Sequence, residues 1–167
     1  MALGLVAAAS GDVRALPYLQ RALALRRLQG NEAATVRTLA AYASALSATD
    51  PAAARAALAD ALDAGGAARG GEDGVQVLRA LALVCAPDDP GEAARAFGAL
   101  DRARGERAVP SERAGEDAAR TALRAQLGSR AFELAYVAGT LLPAAELLGA
   151  ARERLRAARP LRALDAG

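Results

Sequence analysis

The sequence contains no Lys, no His and no Trp, and it has a single Cys among its 167 residues. Without Lys there is no phosphate-loop lysine of the GxxxxGKS/T type and no lysine that forms a Schiff base. Without His there is no Ser-His-Asp relay, no HExxH zinc helix and no imidazole metal ligand. These absences exclude most residue combinations that support catalysis, so we predict no catalytic residue, no metal site and no cofactor.

Cysteine and long apolar runs are equally scarce. Cys85 has no second Cys to pair with and lies in the apolar run LALVCA, so we interpret it as a small core residue. No run of about 18 uncharged apolar residues is present. The apolar start MALGLVAAASG lacks the basic segment of a targeting signal. We therefore expect a cytoplasmic protein with no membrane-spanning segment.

Alanine is the residue that the chain has in excess. There are 49 Ala, all 21 cationic side chains are Arg, and aromatic residues make up only 3% of the chain. Ala and Leu are strong helix formers, and β-branched residues are few. The composition predicts an all-α fold in which slender helices approach each other closely.

Turn signals divide the chain into about nine predicted helices joined by short turns. Asp50 and Asp89 each precede a proline, a typical helix start in which the carboxylate caps and the proline occupies the first turn. Ser129 is the predicted cap of a later helix that ends at Gly139. The predicted helices cover residues 2–9, 13–28, 32–46, 51–63, 75–85, 90–104, 110–127, 129–138 and a last one from 140 or 142 to 159.

Short connections favour a stack of antiparallel helix hairpins. Ala15, Ala52 and Ala94 recur at offsets of 37 and 42 residues, which is similar to the tetratricopeptide repeat with its period of about 34. Chance recurrence in an Ala-rich chain is the alternative. We predict one continuous domain with two hairpins in residues 1–64, a flexible Gly-rich loop in residues 65–74, further hairpins in residues 75–159 and a tail in residues 160–167.

Charge is distributed unevenly along the chain. Residues 150–167 hold five Arg and two acids, whereas residues 1–149 hold 16 Arg and 17 acids. Arg152, Arg156 and Arg159 form a candidate basic tail for anionic partners, although Arg near a helix C-terminus also complements the macrodipole. With no aromatic residues between these Arg, we do not expect nucleic-acid binding. Residues 101–120 alternate in sign, and the pair Glu116–Arg120 predicts a solvated helix face.

The few aromatic residues are predicted to fill gaps between Ala-rich helices. Alternatively, Tyr18 and Tyr42 face the concave groove of a superhelix and contact a peptide, as superhelical arrays do. The candidate groove residues are Arg14, Tyr18, Arg21, Asn31, Arg37 and Tyr42.

Short motifs recur in a fixed order through residues 90–151. They are Ala93-Ala94-Arg95, Gly98-Ala99, Pro110, Glu112-Arg113, Leu127-Gly128, Ala131-Phe132 and Gly139. Through these motifs the block resembles the C-terminal end of actinobacterial signal-transduction ATPase regulators of the LuxR-type and SARP-like groups. The segments GLVAAASGD and ALPYLQRALALRRLQGN resemble the hairpins that precede that ending. Two features depart from the pattern, since Tyr136 replaces the usual Trp and the last helix is rich in Arg instead of acidic.

The resemblance implies a helical accessory region used for sensing, autoinhibition or protein contact. Our first hypothesis is therefore a non-catalytic tetratricopeptide-like interaction domain that binds a protein or peptide, or the upstream domains of a larger regulator. A homodimer is a further alternative. The rival is a small all-α biosynthetic enzyme or small-molecule-binding protein whose chemistry rests on carboxylates, Tyr and Arg.

Overall fold

The computed structural model describes residues 15–66, 71–105 and 110–158, and every regular element in these ranges is helical. The all-α prediction is confirmed there. Eight α-helices lie in these ranges against about nine predicted, and the predicted helix at residues 2–9 lies outside them. A π-helical turn, Leu62–Gly66, follows the third helix. The helices are α1 (Leu16–Leu28), α2 (Glu32–Leu46), α3 (Pro51–Ala61), α4 (Gly71–Cys85), α5 (Pro90–Arg104), α6 (Pro110–Leu127), α7 (Ser129–Leu141) and α8 (Ala144–Ala157).

Two helix starts follow the predicted chemistry. The carboxylate of Asp50 accepts a hydrogen bond from the Ala53 amide at 3.0 Å, and that of Asp89 accepts one from the Glu92 amide at 2.9 Å. A proline follows each cap, where its missing N–H would have had no intrahelical partner. The prediction of these two caps is confirmed.

Several predicted boundaries are wrong. The last helix, predicted to begin at residue 140 or 142, begins at Ala144. The Gly-rich loop predicted for residues 65–74 ends earlier, because α4 begins at Gly71 and buries Gly74. The predicted helix end at Gly139 is an interior position, since α7 continues to Leu141. Ser129 is the first residue of α7. The cap position before it is occupied by Gly128, which has no side chain that could cap the helix.

Neighbouring helices pair along the chain. Helix α2 packs on α3, α4 packs on α5, and α2 also packs on α4. Helix α1 joins through a small apolar cluster of Ala15 and Leu19 with Ala41 and Ala45. A larger cluster of buried side chains runs continuously from α2 to α8.

The chain turns sharply after α7. The axes of α7 and α8 differ by 113°, and α8 folds back onto α3, the π-helical turn, α4 and α5. Among the described helices, none alone has the length and apolar composition to cross a membrane. Only α7 and α8 taken together meet those two criteria, and they do so across this bend.

The most extensive helix contact in the described ranges is the crossing of α5 and α7. It depends on one glycine from each helix. A Cβ atom at Gly98 would overlap the Tyr136 carbonyl oxygen and lie 3.0 Å from the Thr140 amide nitrogen. A Cβ atom at Gly139 would overlap the Arg95 carbonyl oxygen. The two backbones therefore touch directly, and only glycine fits at either position.

We expect Gly98→Ala and Gly139→Ala each to lower the free energy of unfolding by about 1–3 kcal/mol or more, because the added methyl group forces the helices apart. Urea unfolding followed by circular dichroism measures this loss. Gly149→Ala is the matched control: it lies inside α8 with no atom within 4 Å of its Cβ position, so helix propensity should raise stability by up to about 1 kcal/mol. Equal effects of the three substitutions would contradict the close crossing.

Candidate functional site

Two of the predicted groove residues, Asn31 and Arg37, hold helices in place. Asn31 caps α2 by accepting a hydrogen bond from the Ala34 amide at 3.0 Å. The Arg37 guanidinium donates to the Asp73 carboxylate of α4 at 2.8 Å. The side chain of Arg37 thus joins α2 to α4, and that of Asn31 fixes the start of α2.

The remaining groove residues lie on or beside α1. The Tyr42 hydroxyl accepts a hydrogen bond from the Gln20 side chain of α1 at 2.8 Å, so Tyr42 points from α2 towards α1. Tyr18 and Arg21 are exposed on α1 itself, and Arg14 lies outside the described residues. The structure brings Tyr18 and Arg21 together on one helix, while Arg37 points towards a different neighbour. A common groove for all six residues stays a prediction.

Helix α1 presents an apolar stripe to solvent. Tyr18, Leu25 and Leu28 are 67%, 52% and 85% exposed, and Arg21 is exposed between them. The spacings of three, four and three residues place these four side chains on one side of the helix. We call Tyr18, Arg21, Leu25 and Leu28 the α1 outer face. Leu25 and Leu28 were not predicted as site residues, because their spacing places them on one side of a helix but does not show that this side is exposed.

Helix α7 presents a second stripe of this kind. Leu134, Val137 and Leu141 are between 50% and 73% exposed and recur at spacings of three and four residues. Arg130 is exposed four residues before Leu134, on the same side of the helix. We call Arg130, Leu134, Val137 and Leu141 the α7 outer face. It was missed because an apolar residue in an amphipathic helix is normally assigned to the core.

A buried ionic cluster joins α4, α5 and α6. The Glu116 carboxylate of α6 accepts two hydrogen bonds from Arg104 of α5, both at 2.9 Å, and one from Arg79 of α4 at 3.1 Å. The three side chains are at most 5% exposed. A doubly bound guanidinium–carboxylate pair has fixed geometry, so this cluster sets where α6 sits on the two preceding helices.

The cluster corrects the prediction of a solvated face in residues 101–120 at two positions, Arg104 and Glu116, whereas Arg102 and Asp117 are exposed as predicted. Glu116 is buried, and the Arg120 guanidinium lies 3.8 Å from its Oε2 atom. The partners Arg79 and Arg104 are separated from Glu116 by 37 and 12 positions. A helical i,i+4 pattern carries no information on such distant partners, because tertiary packing alone brings them together.

A second polar chain links α5, α6 and α7. The Tyr136 hydroxyl donates to one Asp101 oxygen at 2.7 Å, and Arg120 donates to the other at 2.8 Å. Burial, followed by the neighbouring Asp101 carboxylate, raises the pKa of Tyr136 to about 12. Tyr136 therefore keeps its proton at neutral pH. Both oxygens of Glu116 are likewise occupied by guanidinium groups.

Two Arg of α6 cover buried aromatic rings. The Arg120 guanidinium lies 4.7 Å from the centre of the Phe97 ring, and that of Arg124 lies 4.3 Å from the centre of the Phe132 ring. Both rings are fully buried. Phe97 and Phe132 thus fill space between helices as predicted, while the exposed Tyr18 does not.

The described part of the basic tail is engaged with acids of the same chain. Arg152 and Arg156 both donate to Asp63 Oδ1 of the π-helical turn, at 2.8 and 2.9 Å. Arg154 pairs with Glu92 of α5 and with Asp89, the residue that caps the start of α5. Arg159 lies outside the described residues. These pairs fasten α8 to the core, and binding of an external anion by the tail stays a prediction.

Cys85 is half-buried against the core, and burial raises the pKa of its thiol to about 12, so the reactive thiolate is suppressed at neutral pH. Within the described ranges, no three His, Cys, Asp or Glu side chains are grouped so that they could hold a metal ion.

Comparisons of the chain with protein-family models, with curated proteins and with solved structures give no significant match. The resemblance to regulator C-termini therefore rests on the sequence motifs alone.

We expect Glu116→Gln to lower the free energy of unfolding by about 3 kcal/mol, because it removes the charge that two buried guanidinium groups share. Chemical denaturation measures the change. Asp117→Asn, on the exposed side of the same helix, removes the same charge and should change stability by no more than about 0.5 kcal/mol. Similar effects of both substitutions would show that Glu116 is not buried between Arg79 and Arg104.

The ion pairs of Asp63 predict a pH dependence. The hydrogen bond from Arg152 and the positive charge of Arg156 hold the pKa of Asp63 below its ordinary value. A depressed carboxylate pKa stabilises the fold above the ordinary pKa of about 4, and this stabilisation is lost as the pH falls through the lower folded value.

Wild type should therefore be more stable than Asp63→Asn by about 0.5–1 kcal/mol at pH 7, since the pair is partly exposed. The difference should shrink as the pH is lowered to about 3. Unfolding curves of both proteins across this range measure it. A difference that is constant with pH would contradict the assigned ion pairs.

Proposed function

We propose that this chain is a non-catalytic helical-repeat domain that binds other proteins, with a regulatory role like that of the sensor region of bacterial transcriptional regulators. One observation carries the proposal. Among the described residues, the large apolar side chains that are exposed fall on only two helices, three on α1 and three on α7. On each helix they share one side, as partner-binding helical faces do.

Clustering of this kind is different from the scattered apolar residues of any protein surface. Exposed apolar groups that are contiguous mark interaction sites, because their burial is favourable only when a partner covers them. The inner faces of both helices are firmly packed: Leu19 holds α1, while Phe132 and Gly139 hold α7. The two outer faces are therefore presented on rigid supports, which lowers the entropic cost of binding.

The repeat architecture that we propose is a tetratricopeptide-like superhelix. The pairing of α2 with α3 and of α4 with α5, and the packing of α2 on α4, support it. In such arrays each hairpin contacts its neighbours, and the surface between hairpins is used for partners. The sharp turn into α8 is a departure that would close the array at that end.

We propose two kinds of partner and a cytoplasmic location. The α1 outer face would receive a separate protein, or upstream domains if the chain belongs to a larger regulator. The α7 outer face would serve a second partner or a homodimer, since Arg130 at its start would lie beside the C-terminus of an antiparallel copy and complement the dipole there.

Affinity capture from lysate of the source organism tests the proposal with three matched variants. Leu25→Glu with Leu28→Glu alters α1, and Leu134→Glu with Leu141→Glu alters α7. Ala122→Glu with Ala125→Glu introduces the same charge on α6, where both alanines are exposed. All substituted positions are exposed, so circular dichroism should show unchanged helicity.

We expect wild type and the α6 variant to capture the same protein and at least one of the other variants to lose it. Light scattering of the purified proteins measures self-association in parallel. Capture that is indifferent to both outer faces would contradict the proposal. So would purification with a bound small molecule and no protein partner, which favours the enzyme or small-molecule hypothesis.

A further inference from the structure

The charge of α1 singles out one kind of partner. Its 13 residues, Leu16–Leu28, contain three Arg and no acid. Arg21 lies within the α1 outer face. Arg27 is also exposed, but successive residues of a helix point about 100° apart, so Arg27 lies on a different side of α1 from Leu28. The nearest acid along the described chain, Glu32, belongs to α2. The α1 outer face is thus apolar with one Arg, on a helix that has no acid.

We propose that the α1 outer face binds an acidic amphipathic helix of another protein. This inference rests on the proposed function and specifies the chemistry of one partner. The partner helix would carry apolar side chains at spacings of three and four residues and Glu or Asp at the flanking positions. Its apolar side chains pack between Tyr18, Leu25 and Leu28, while a carboxylate beside them pairs with Arg21.

A helix is the form of partner that fits a helical surface. All backbone groups in the middle of α1 are bonded within the helix, so α1 has no free edge to which an extended strand could add. The spacings of three, four and three in the α1 outer face match the seam of a two-helix coiled coil. From Tyr18 to Leu28 the seam is about 15 Å long at 1.5 Å per residue, or roughly three turns.

Charge argues against self-pairing through this face. Two α1 outer faces would bring together cationic helices that have no acid of their own, and like charges across an interface oppose association. The α7 outer face differs, because α7 exposes both Arg130 and Glu133. Of the two outer faces, only the α1 outer face favours a partner with one sign of charge, which is negative.

The position of α1 supports the role. Leu19 is 2% exposed and packs with Ala15, Ala41 and Ala45, which anchors the opposite side of α1 to α2. The hydrogen bond from Gln20 to Tyr42 adds a second attachment. The α1 outer face therefore stays in place while its large apolar side chains remain uncovered in the described chain.

The test uses the full chain and a fluorescein-labelled 21-residue peptide of three heptads, with Leu at the a and d positions and Glu at the e and g positions. A second peptide carries Lys in place of every Glu. Fluorescence anisotropy measures binding of each peptide to wild type and to variants. Leu25→Glu and Arg21→Glu alter the α1 outer face, and Leu134→Glu is the matched exposed Leu on α7.

We expect the Glu peptide to bind wild type and Leu134→Glu equally, and to bind Leu25→Glu and Arg21→Glu about tenfold or more weakly. Added salt should weaken binding, because the charges at the rim of this contact are exposed. The Lys peptide should not bind. Equal binding of both peptides, no binding to wild type, or an equal loss in Leu134→Glu would each overturn the proposal.

Two further binding measurements distinguish recognition of a protein helix from recognition of other anionic surfaces. A short DNA duplex and phosphatidylglycerol vesicles replace the peptide under the same conditions. Binding of either one that matches the Glu peptide in strength and is insensitive to Leu25→Glu would overturn the proposal in favour of general anion binding. If the Glu peptide fails while lysate capture depends on the α7 outer face, the α1 inference falls and the proposed function stands.

Discussion

The direct contact of the α5 and α7 backbones is the constraint on which the rest of the structure depends. Gly98 and Gly139 face each other's helices at a distance that excludes any side chain. This crossing brings Tyr136 to Asp101 and places the Phe132 ring beneath Arg124 of α6. Because the buried side of α7 is fixed by two glycines, the direction of its exposed side is fixed as well. The orientation of the α7 outer face thus follows from the absence of a side chain at Gly98 and Gly139.

Several arginine side chains of this chain fill space between helices. A core made mostly of Ala and Leu offers few large side chains to fill the space between helices, and long Arg side chains supply part of that volume. Arg79 and Arg104 are buried around Glu116, and Arg120 covers Phe97. Buried ion pairs add less stability than apolar packing of the same volume, but their fixed geometry can favour one arrangement over others. Here the ion pairs of Glu116 fix the position of α6 on α4 and α5.

The sequence predicted what local chemistry controls. The helical class followed from Ala and Leu, and the starts of α3 and α5 followed from an aspartate before a proline. The prediction from sequence failed where contacts between residues distant in sequence determine the structure. Gly139 has the same local signature as a helix end, but the backbone of α5 makes it an interior contact. Glu116 has the same signature as a surface residue, but Arg79, 37 positions away, buries it. The two outer faces were missed because spacing alone does not tell which side of a helix its neighbours leave uncovered.

The ion pairs between α8 and the π-helical turn have a consequence for how the chain folds as it is made. Asp63 receives Arg152 and Arg156, which follow it by 89 and 93 positions. Leu147, Leu148 and Ala151 of α8 complete the same core. During synthesis the earlier helices therefore leave the ribosome before the segment that covers them exists. Until that segment is made, the apolar surface of these helices stays exposed to solvent. Intermediates with such exposed surface are prone to aggregate. Within the described part of the chain, the core cluster is complete only when α8 has packed.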